Sequence, residues 1–344
     1  MSPSLFSRFF AVAAVGLALG LGAGAAAAQT ALKFNLGWRV EASGAGFLLA
    51  QQKGYYKAEG LDVTIDTGNG SAGAIAAVAG GAYDAASADI ATLVEFNAAN
   101  PDRRLTATMI QYDANPNSII VRKNSGIARP ADLAGKKIVA QPFNASRKLF
   151  PIFAAATKTD PKGIQWQSMD PAVGDHAFIK GDADGVAFFF FTGLINLEGK
   201  GVNPNDLTVM KFSDFGVQTY GNAIVFNPRV IRDNPNAVRG FVRATVRGWL
   251  DSIHNPVEGA RAIKVREPLA DEALELKRLR MITEGSMITP ATLRDGYGGA
   301  TEERIRATIA EVSAALDIKV PLTVADVWNG SFLPPRGERT IKRP

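Results

Sequence analysis

Residues 47–93 decide the fold: FLLAQQKGYYKAEGLDVTIDTGNGSAGAIAAVAGGAYDAASADIATL. They predict a helix that Gly54 ends, a strand over 61–65 in which apolar and polar side chains alternate, and a Gly-rich loop before an Ala-rich helix. Ser71 is predicted to cap that second helix, and Asp89 to end a second strand. Backbone N–H groups at such strand-to-helix loops suit a small ligand. No nucleophile motif or metal cluster accompanies them, so the stretch indicates binding without chemistry.

The same succession of strand, loop and helix is predicted a second time. A strand over 137–140 leads to a loop that contains Asn144 and Ser146, and a helix follows it. Polar connections over 112–117 and 214–222 join the two sets of elements. We therefore predict an α/β fold, a two-lobed clamshell with two crossover strands that closes on its ligand by a hinge motion.

The chain is predicted to divide into a leader and two lobes. Residues 1–28 are predicted to be a secretory signal peptide, because Arg8 precedes an apolar core and small residues up to Ala28 form a cleavage site. The mature protein would then be periplasmic. The alternative is an uncleaved membrane anchor, which the short, Gly- and Ala-rich core disfavours. The predicted division is lobe 1 over residues 29–113 and 218–344, with the C-terminal helices, and lobe 2 over residues 114–217.

Composition excludes several classes of function. The formal net charge is +5, but the Lys and Arg residues are scattered, which argues against a nucleic-acid partner. The chain has no Cys, and its two histidines, His176 and His254, are far apart, so neither a metal site nor a cofactor is expected. Without Cys there is no lipid anchor and no disulfide, so a large core must supply the stability. Neither a Gly-x-Ser-x-Gly nor a phosphate-loop signature is present, so no enzyme is predicted.

Six segments carry a family resemblance. They are GWRVEASGAGFLLAQQKGYYKAEGLDVTI (37–65), GNGSAGAIAAVAGGAYDAASAD (68–89), RPADLAGKKIVAQPFNASRKLFP (129–151), GDADGVAFFFF (181–191), YGNAIVFNP (220–228) and DVWNGSFLPP (326–335). In these segments the chain resembles the type 2 periplasmic solute-binding proteins of ABC importers. The more similar branch includes nitrate, sulfonate and taurine receptors and proteins that bind pyrimidine precursors of thiamine.

The resemblance implies a function. It implies a monomeric receptor that captures a small molecule and delivers it to an ABC permease in the inner membrane. The ligand class stays open among pyrimidine-like compounds, sulfonates and aromatic acids, because the aromatic candidates favour a flat heterocycle or aromatic acid and the two helix N-termini fit a sulfonate or carboxylate equally well. In pyrimidine-binding relatives an aromatic residue near Trp38 stacks on the ring and a His follows it, whereas this chain has Ala42-Ser43-Gly44 and no His there.

Ten residues are candidates for ligand contact. Trp38, predicted to end the first strand, has a ring that stacks on a flat ligand or plugs the lobe. Ser71, like Asn144 and Ser146 of the second lobe, combines a polar side chain with helix N–H groups. Asp89 either accepts a ligand N–H or caps the helix that follows it. The full set is Trp38, Ser43, Ser71, Asp89, Tyr112, Asn144, Ser146, Phe190, Tyr220 and Asn222.

The remaining candidates follow from their position along the chain. Residues 188–191, four Phe in succession, are predicted to end a strand that is buried on both faces, with Phe190 among those that reach the cleft. Tyr112 and Tyr220 lie in the two predicted crossings and are therefore expected to line the hinge. Asn222, the last residue of the second crossing, is close enough to contribute an amide.

Two other classes of function remain open. Some enzymes share this fold, among them a pyrimidine-precursor synthase and a desulfinase, but the desulfinase depends on a catalytic Cys and the synthase carries a Cys-rich segment, and this chain has no Cys. The other alternative is the sensing half of a signalling system, in which the receptor docks onto a membrane kinase. The sequence favours the importer receptor.

Overall fold

Ten strands form two five-stranded sheets in the computed structural model, which describes residues 29–342. The strands are β1 (Thr30–Asn35), β2 (Leu61–Asp66), β3 (Ala85–Asp89), β4 (Thr106–Ile110), β5 (Asn117–Arg122), β6 (Lys137–Val139), β7 (Gln165–Gln167), β8 (Gly185–Phe189), β9 (Leu207–Lys211) and β10 (Asn222–Phe226). The first sheet has the order β2-β1-β3-β10-β4, and the second has the order β7-β6-β8-β5-β9. The signal peptide predicted over 1–28 lies outside the described residues.

The chain crosses between the sheets twice. It leaves the first sheet after β4 and enters the second at β5, and it returns after β9 to enter the first sheet at β10. In each case the strand that follows the crossing lies antiparallel to both of its neighbours, whereas β1–β3 and β6–β8 pair in parallel. This topology confirms the predicted two-lobed clamshell with two crossovers. The exact lobe boundaries stay a prediction.

Fourteen α-helices among the described residues cover the sheets. They are α1 (Ala45–Gln52), α2 (Tyr55–Ala58), α3 (Ser71–Ala79), α4 (Ile90–Ala99), α5 (Ala145–Lys148), α6 (Phe150–Thr157), α7 (Pro171–Lys180), α8 (Phe190–Glu198), α9 (Pro228–Asp233), α10 (Pro235–His254), α11 (Pro256–Arg266), α12 (Glu272–Ile282), α13 (Pro290–Asp295) and α14 (Glu302–Ala315). Within residues 29–342, no helix combines the length and the apolar character that a membrane crossing requires.

Three successive helices begin in the same way. An Asn precedes Pro at the start of α9, α10 and α11, and the side chains of Asn227, Asn234 and Asn255 accept hydrogen bonds from backbone N–H groups of the first turn. Asn satisfies a donor that the helix leaves free, and Pro fits the first helical position because it has no N–H to lose. This signal sets where each of the three helices begins.

Two glycines bring α1 and α10 into backbone contact. A Cβ at Gly248 would overlap the carbonyl oxygen of Gly46 and lie 2.7 Å from Cβ of Ala50. A Cβ at Gly46 would in turn overlap the indole of Trp249, which is fully buried beneath the helix. The two helices therefore pack more closely than any larger residue permits.

The structure corrects three local predictions. The first strand ends at Asn35 and leaves Trp38 in the loop that follows it. Phe190 is the first residue of α8, not part of the strand, because β8 ends at Phe189 and the N–H of Phe190 donates to the carbonyl of Pro116. Ser71 is the first residue of α3, whose N-cap is Gly70, with a φ of 129° that favours glycine.

The C-terminal helices contact both lobes. α12 packs against α8, which follows a strand of the second sheet, and α14 packs against both α4 and α6. The ion pair between Lys277 and Glu198 (2.6 Å) adds to the first of these contacts. The C-terminal region thus connects the lobes a third time, away from the two crossings.

Candidate functional site

A cavity of about 40 Å³ lies between the two sheets. The loops after β1 and β2 face the loop after β6 and the end of β8 across it. Its lining residues are Leu36, Gly37, Trp38, Glu41, Ser43, Gly70, Ser71, Ser87, Tyr112, Asn144, Ala145, Phe188, Phe189, Thr192 and Asn222. A space of this size accommodates a few water molecules. The cleft is therefore narrow, and a larger ligand requires the lobes to separate.

Six of the ten predicted residues line this cavity and four do not. Those in the lining are Trp38, Ser43, Ser71, Tyr112, Asn144 and Asn222. Those outside it are Asp89, Ser146, Phe190 and Tyr220. Both lobes and the first crossing supply lining residues.

Aromatic rings form two pairs in the cavity wall. The rings of Trp38 and Phe188 are 6.3 Å apart at an interplanar angle of 67°, and those of Tyr112 and Phe189 are 6.1 Å apart at 88°. Edge-to-face pairing of this kind fixes the orientation of each ring, and all four rings belong to the cavity lining. The arrangement suits a flat ligand.

A chain of hydrogen bonds runs under the same cavity. Nδ2 of Asn222 donates to Oγ of Ser87 (3.0 Å), which donates to Oε1 of Gln111 (2.5 Å). Nε2 of Gln111 donates to the carbonyl of Ser43 and to the hydroxyl oxygen of Tyr112, both at 3.0 Å. Oδ1 of Asn222 is buried and has no partner in the described part of the chain. This oxygen is a free acceptor at the cavity.

Ser71 and Asn144 bring polar groups from opposite lobes. Oγ of Ser71 accepts a hydrogen bond from the N–H of Asp89 (3.0 Å), so its proton remains available to a ligand. Oδ1 of Asn144 caps α5 by accepting from the N–H of Arg147 (3.3 Å), which leaves its amide N–H₂ as a donor. Ser71 and Asn144 thus line the same cavity from opposite lobes. Their contact with a ligand remains a proposal.

Two backbone and side-chain contacts bridge the mouth of the cleft. Gly70 of the first lobe lies against the backbone of Phe143 of the second, so that a Cβ at Gly70 would lie 2.5 Å from that carbonyl oxygen. Nη2 of Arg39 and Oδ2 of Asp170 form an exposed ion pair across the opening at 2.7 Å. These contacts exist only while the lobes are close together.

Asp89 and Ser146 belong to a polar network at the hinge. Oδ1 of Asp89 caps α4 by accepting from the N–H groups of Ala91 and Thr92, so the predicted capping role is confirmed. Oδ2 accepts from Nδ2 of Asn117 (3.2 Å), and Oδ1 of Asn117 accepts from Oγ of Ser146 (2.8 Å). One amide thus ties both lobes together beneath the cavity.

Phe190 and Tyr220 contact the C-terminal region. The ring of Phe190 packs against the backbone of Gly285, where a Cβ would lie 2.6 Å from it. The hydroxyl of Tyr220 accepts from the N–H of Thr301 (3.2 Å), and the guanidinium of Arg304 lies 3.8 Å from the centre of its ring. Both aromatic residues therefore hold C-terminal elements against the lobes.

Glu41 is the charged residue among the described lining residues, and it is not one of the ten predicted contacts. Its carboxylate is buried, accepts from Oγ1 of Thr192 (2.6 Å) and pairs with Nη1 of Arg278 (3.2 Å). Burial raises the pKa of Glu41, and the positive charge of Arg278 opposes that rise in part. A lone Glu in a loop gives no signal in the sequence, because its partners come from α8 and α12.

Asp89 is expected to make stability depend on pH. Burial raises the pKa of its carboxyl from 3.8 to about 7. The native state then binds this proton more tightly than the unfolded chain does, so the free energy of unfolding falls as pH rises from 3.8 to about 7. Urea unfolding of the wild type and of Asp89→Asn, which keeps an acceptor for α4, should show the wild type losing about 4 kcal/mol relative to the variant over this range. A pH-independent difference would contradict this assignment.

Residues 29–342 hold no group of three or more Asp, Glu, His or Cys side chains placed to bind a metal ion. Among the cavity residues, Glu41 is the only one with a charged side chain. The site therefore offers aromatic faces, neutral hydrogen-bonding groups and one carboxylate.

Comparison with known proteins gives a family and a fold. Residues 42–259 match the model of the family described as NMT1/THI5 like. The riboflavin-binding protein RibY of Chloroflexus aurantiacus is 25% identical over 297 residues, which are 84% of this chain and 82% of the relative.

The MOPS-bound alkanesulfonate-binding protein SsuA of Xanthomonas axonopodis has a TM-score of 0.66 at 16% identity, with 88% of this chain and 98% of that one covered. The periplasmic nitrate-binding protein NrtA of Synechocystis has a TM-score of 0.55 at 13% identity, with 86% and 92% covered.

Proposed function

The chain belongs to the NMT1/THI5-like family, and from this premise we propose that it is the periplasmic substrate-binding component of an ABC importer. It has the two-lobed fold of the solute-binding proteins SsuA and NrtA. It captures a small solute between its lobes and presents the closed form to a permease in the inner membrane. The leader predicted over 1–28 would direct it to the periplasm, where it acts as a monomer.

One observation carries this proposal: a cavity between the lobes whose wall combines paired aromatic rings with unsatisfied polar groups. Trp38 and Ser71 come from the first lobe, and Asn144 and Phe188 from the second. A ligand that touches both sides stabilises the closed form by its contacts with the second lobe, which the open form lacks. Closure and binding are therefore linked.

The proposed ligand is a small polar, heteroaromatic or anionic solute. The sequence relative RibY is described as a riboflavin-binding protein, and the structural neighbours SsuA and NrtA are described as binding alkanesulfonate and nitrate. Pyrimidine-like compounds, sulfonates and aromatic acids accordingly form the test panel, together with riboflavin. Native mass spectrometry of the mature protein, purified without dialysis, identifies a ligand that copurifies, and a thermal-shift screen of the panel follows where the protein is obtained ligand-free.

We propose binding without turnover. Among the described lining residues, Oγ of Ser71 accepts from a backbone N–H and Oγ of Ser87 donates to an amide, so neither of these two hydroxyls is placed on a carboxylate. Oγ1 of Thr192 does donate to the carboxylate of Glu41, but Arg278 pairs with that carboxylate and so weakens it as a general base. Incubation of the pure protein with each bound compound should return that compound unchanged. Appearance of a product would favour the enzyme alternative.

Replacing Trp38 is expected to weaken binding. Trp38→Ala removes the ring that pairs with Phe188, so the dissociation constant should rise about tenfold or more, as the loss of a stacked ring implies. Isothermal titration with the identified ligand measures this change. Trp166→Ala is the matched control, because Trp166 packs on Phe150 away from the cavity and its loss should leave the affinity unchanged. An unchanged constant for Trp38→Ala would remove this residue from the site.

Genetic evidence tests the partnership with an importer. Deletion of the gene should abolish high-affinity uptake of the ligand by intact cells, and uptake should return with the purified protein added to spheroplasts. Uptake that persists without the protein, together with a ligand-dependent change in a membrane kinase, would favour the sensing alternative.

A further inference from the structure

The charge balance of the cleft is unusual for a receptor of anions. No Lys, Arg or His is among the described residues that line the cavity, whereas the carboxylate of Glu41 is. At the mouth of the cleft, the exposed guanidinium of Arg39 is paired with the carboxylate of Asp170. A free anion that enters the cleft therefore meets one negative side chain and no positive one.

Arg278 pairs with Glu41, but its single positive charge does not neutralise the two carboxylates of Glu41 and Glu275. Its guanidinium pairs with Glu41 (3.2 Å) and with Glu275 (3.1 Å), and all three side chains are buried. Its remaining N–H groups donate to the carbonyl of Thr192 and to Oδ1 of Asn196. Two carboxylates share one cation, so the ionised cluster keeps one negative charge beside the cavity.

The polar atoms around Glu41 point to the same preference. The free acceptor Oδ1 of Asn222 lies in the lining together with the carboxylate. The lining thus offers two acceptors to a ring that carries an amino, amidine or ring N–H group, beside the aromatic side chains of Trp38 and Tyr112. An anionic group finds only the neutral donors of Ser71 and Asn144 in the lining and no positive side chain to offset the carboxylate of Glu41.

We propose that Glu41 determines specificity, selecting aromatic ligands that present N–H donors or a positive charge and rejecting free anions. This inference rests on the proposed receptor function and narrows its ligand class. Glu41 acts here as a direct ligand contact, and Arg278 and Thr192 position it. The anionic ligands that relatives of the same fold bind are therefore poor ligands of this chain.

The pH dependence of binding has an expected sign. Burial raises the pKa of Glu41, and the charged or titratable groups facing it are Arg278 and Glu275 of α12 and Tyr112 of the first crossing. A donor or cationic ligand stabilises the ionised carboxylate, so its binding releases a proton and tightens as pH rises. An anionic ligand favours the protonated carboxyl, so its binding takes up a proton and weakens as pH rises.

A series on one ring tests this inference. Benzamidine, benzamide and benzoate have the same shape and carry positive, neutral and negative groups, and a second series of aminopyrimidine, pyrimidine and pyrimidine carboxylate repeats the comparison, with taurine and nitrate as small anions. Titration calorimetry should give dissociation constants at least tenfold lower for the donor members than for their matched carboxylates.

Glu41→Gln tests whether the ligand preference comes from the carboxylate of Glu41 or from the net charge of the whole protein. This variant keeps the shape and should lose at least tenfold of the preference for donor ligands, together with its pH dependence. Glu303→Gln removes the same charge at an exposed position in the first turn of α14 and should change neither.

The outcomes distinguish two failures. A carboxylate, taurine or nitrate that binds as tightly as the donor members would overturn the charge selection and leave the receptor function in place, as would an unchanged preference in Glu41→Gln. Binding by no member of either series, combined with normal uptake in the deletion strain, would overturn the receptor function and the inference with it.

Discussion

Gly70→Ala is expected to weaken ligand binding about a hundredfold or more. The new Cβ would lie 2.5 Å from the carbonyl oxygen of Phe143 in the opposite lobe. This oxygen is a backbone atom, so the overlap cannot be relieved by rotating a side chain. The lobes must then stay apart or the loop after β2 must shift, and either change removes contacts from the second lobe. A hundredfold loss corresponds to about 2.7 kcal/mol. Isothermal titration gives the affinity, and small-angle scattering shows whether ligand still closes the lobes.

Gly54→Ala is the control for backbone strain. Gly54 has a φ of 72°, also favourable to glycine, but a Cβ there meets no other atom within 4 Å. Its replacement should lower the free energy of unfolding by about 1 kcal/mol without changing affinity. Gly70 itself has a φ of 129°, so its variant also loses stability. A folded Gly70→Ala protein that binds with wild-type affinity would contradict the proposed role of lobe contact.

Gly248→Val is expected to lower the free energy of unfolding by about 4 kcal/mol or more. Even a single Cβ at this position overlaps the carbonyl oxygen of Gly46, and the two further methyl groups of Val add contact with Ala50. Overpacking of a core ordinarily costs about 1–3 kcal/mol, and backbone overlap leaves less freedom to relax than a side chain does. The helices α1 and α10 must separate, which also uncovers Trp249. Urea unfolding followed by Trp fluorescence measures the loss.

Gly240→Ala is the matched change on the same helix. A Cβ at Gly240 would lie 3.0 Å from Cβ of Glu59, a side chain near the surface that can shift. The better helix propensity of Ala, worth about 1 kcal/mol, offsets that contact, so stability should change little. A loss in Gly248→Val no greater than that in Gly240→Ala would show that the close approach of the two helices contributes little to stability.

Much of the fold follows from local signals in the sequence. The Asn-Pro pairs that begin α9, α10 and α11 mark helix starts by a side-chain hydrogen bond and a fixed φ angle, so these elements could be predicted from a few residues each. The start of α8 could not, because its N-cap Phe189 contributes no side-chain hydrogen bond. Four successive Phe residues favour a strand, and only the contact of Phe190 with Pro116 shows where the chain turns.

Some residues of the candidate site also have a local signal in the sequence, and others do not. Ser71 and Asn144 could be found because each stands between a strand and a helix, where side chains turn towards a cleft. Glu41 could not, because its burial and its pairing with Arg278 arise from elements far apart in the chain. Tyr220 lies between β9 and β10, but its hydroxyl faces the start of α14, a direction that depends on the packing of the C-terminal helices.

The position of β10 has a consequence for the order in which the protein is built. β10 is inserted between β3 and β4, so the first sheet is divided until residue 226 has emerged from the ribosome. The second sheet draws all five strands from the continuous stretch 117–211, and β8 joins its two parts as soon as residue 189 has been made. Loop closure over so long a separation slows folding. The first sheet therefore remains incomplete for more than a hundred residues of synthesis after β4, its outer strand, has been made, while all of the second sheet can form in that interval.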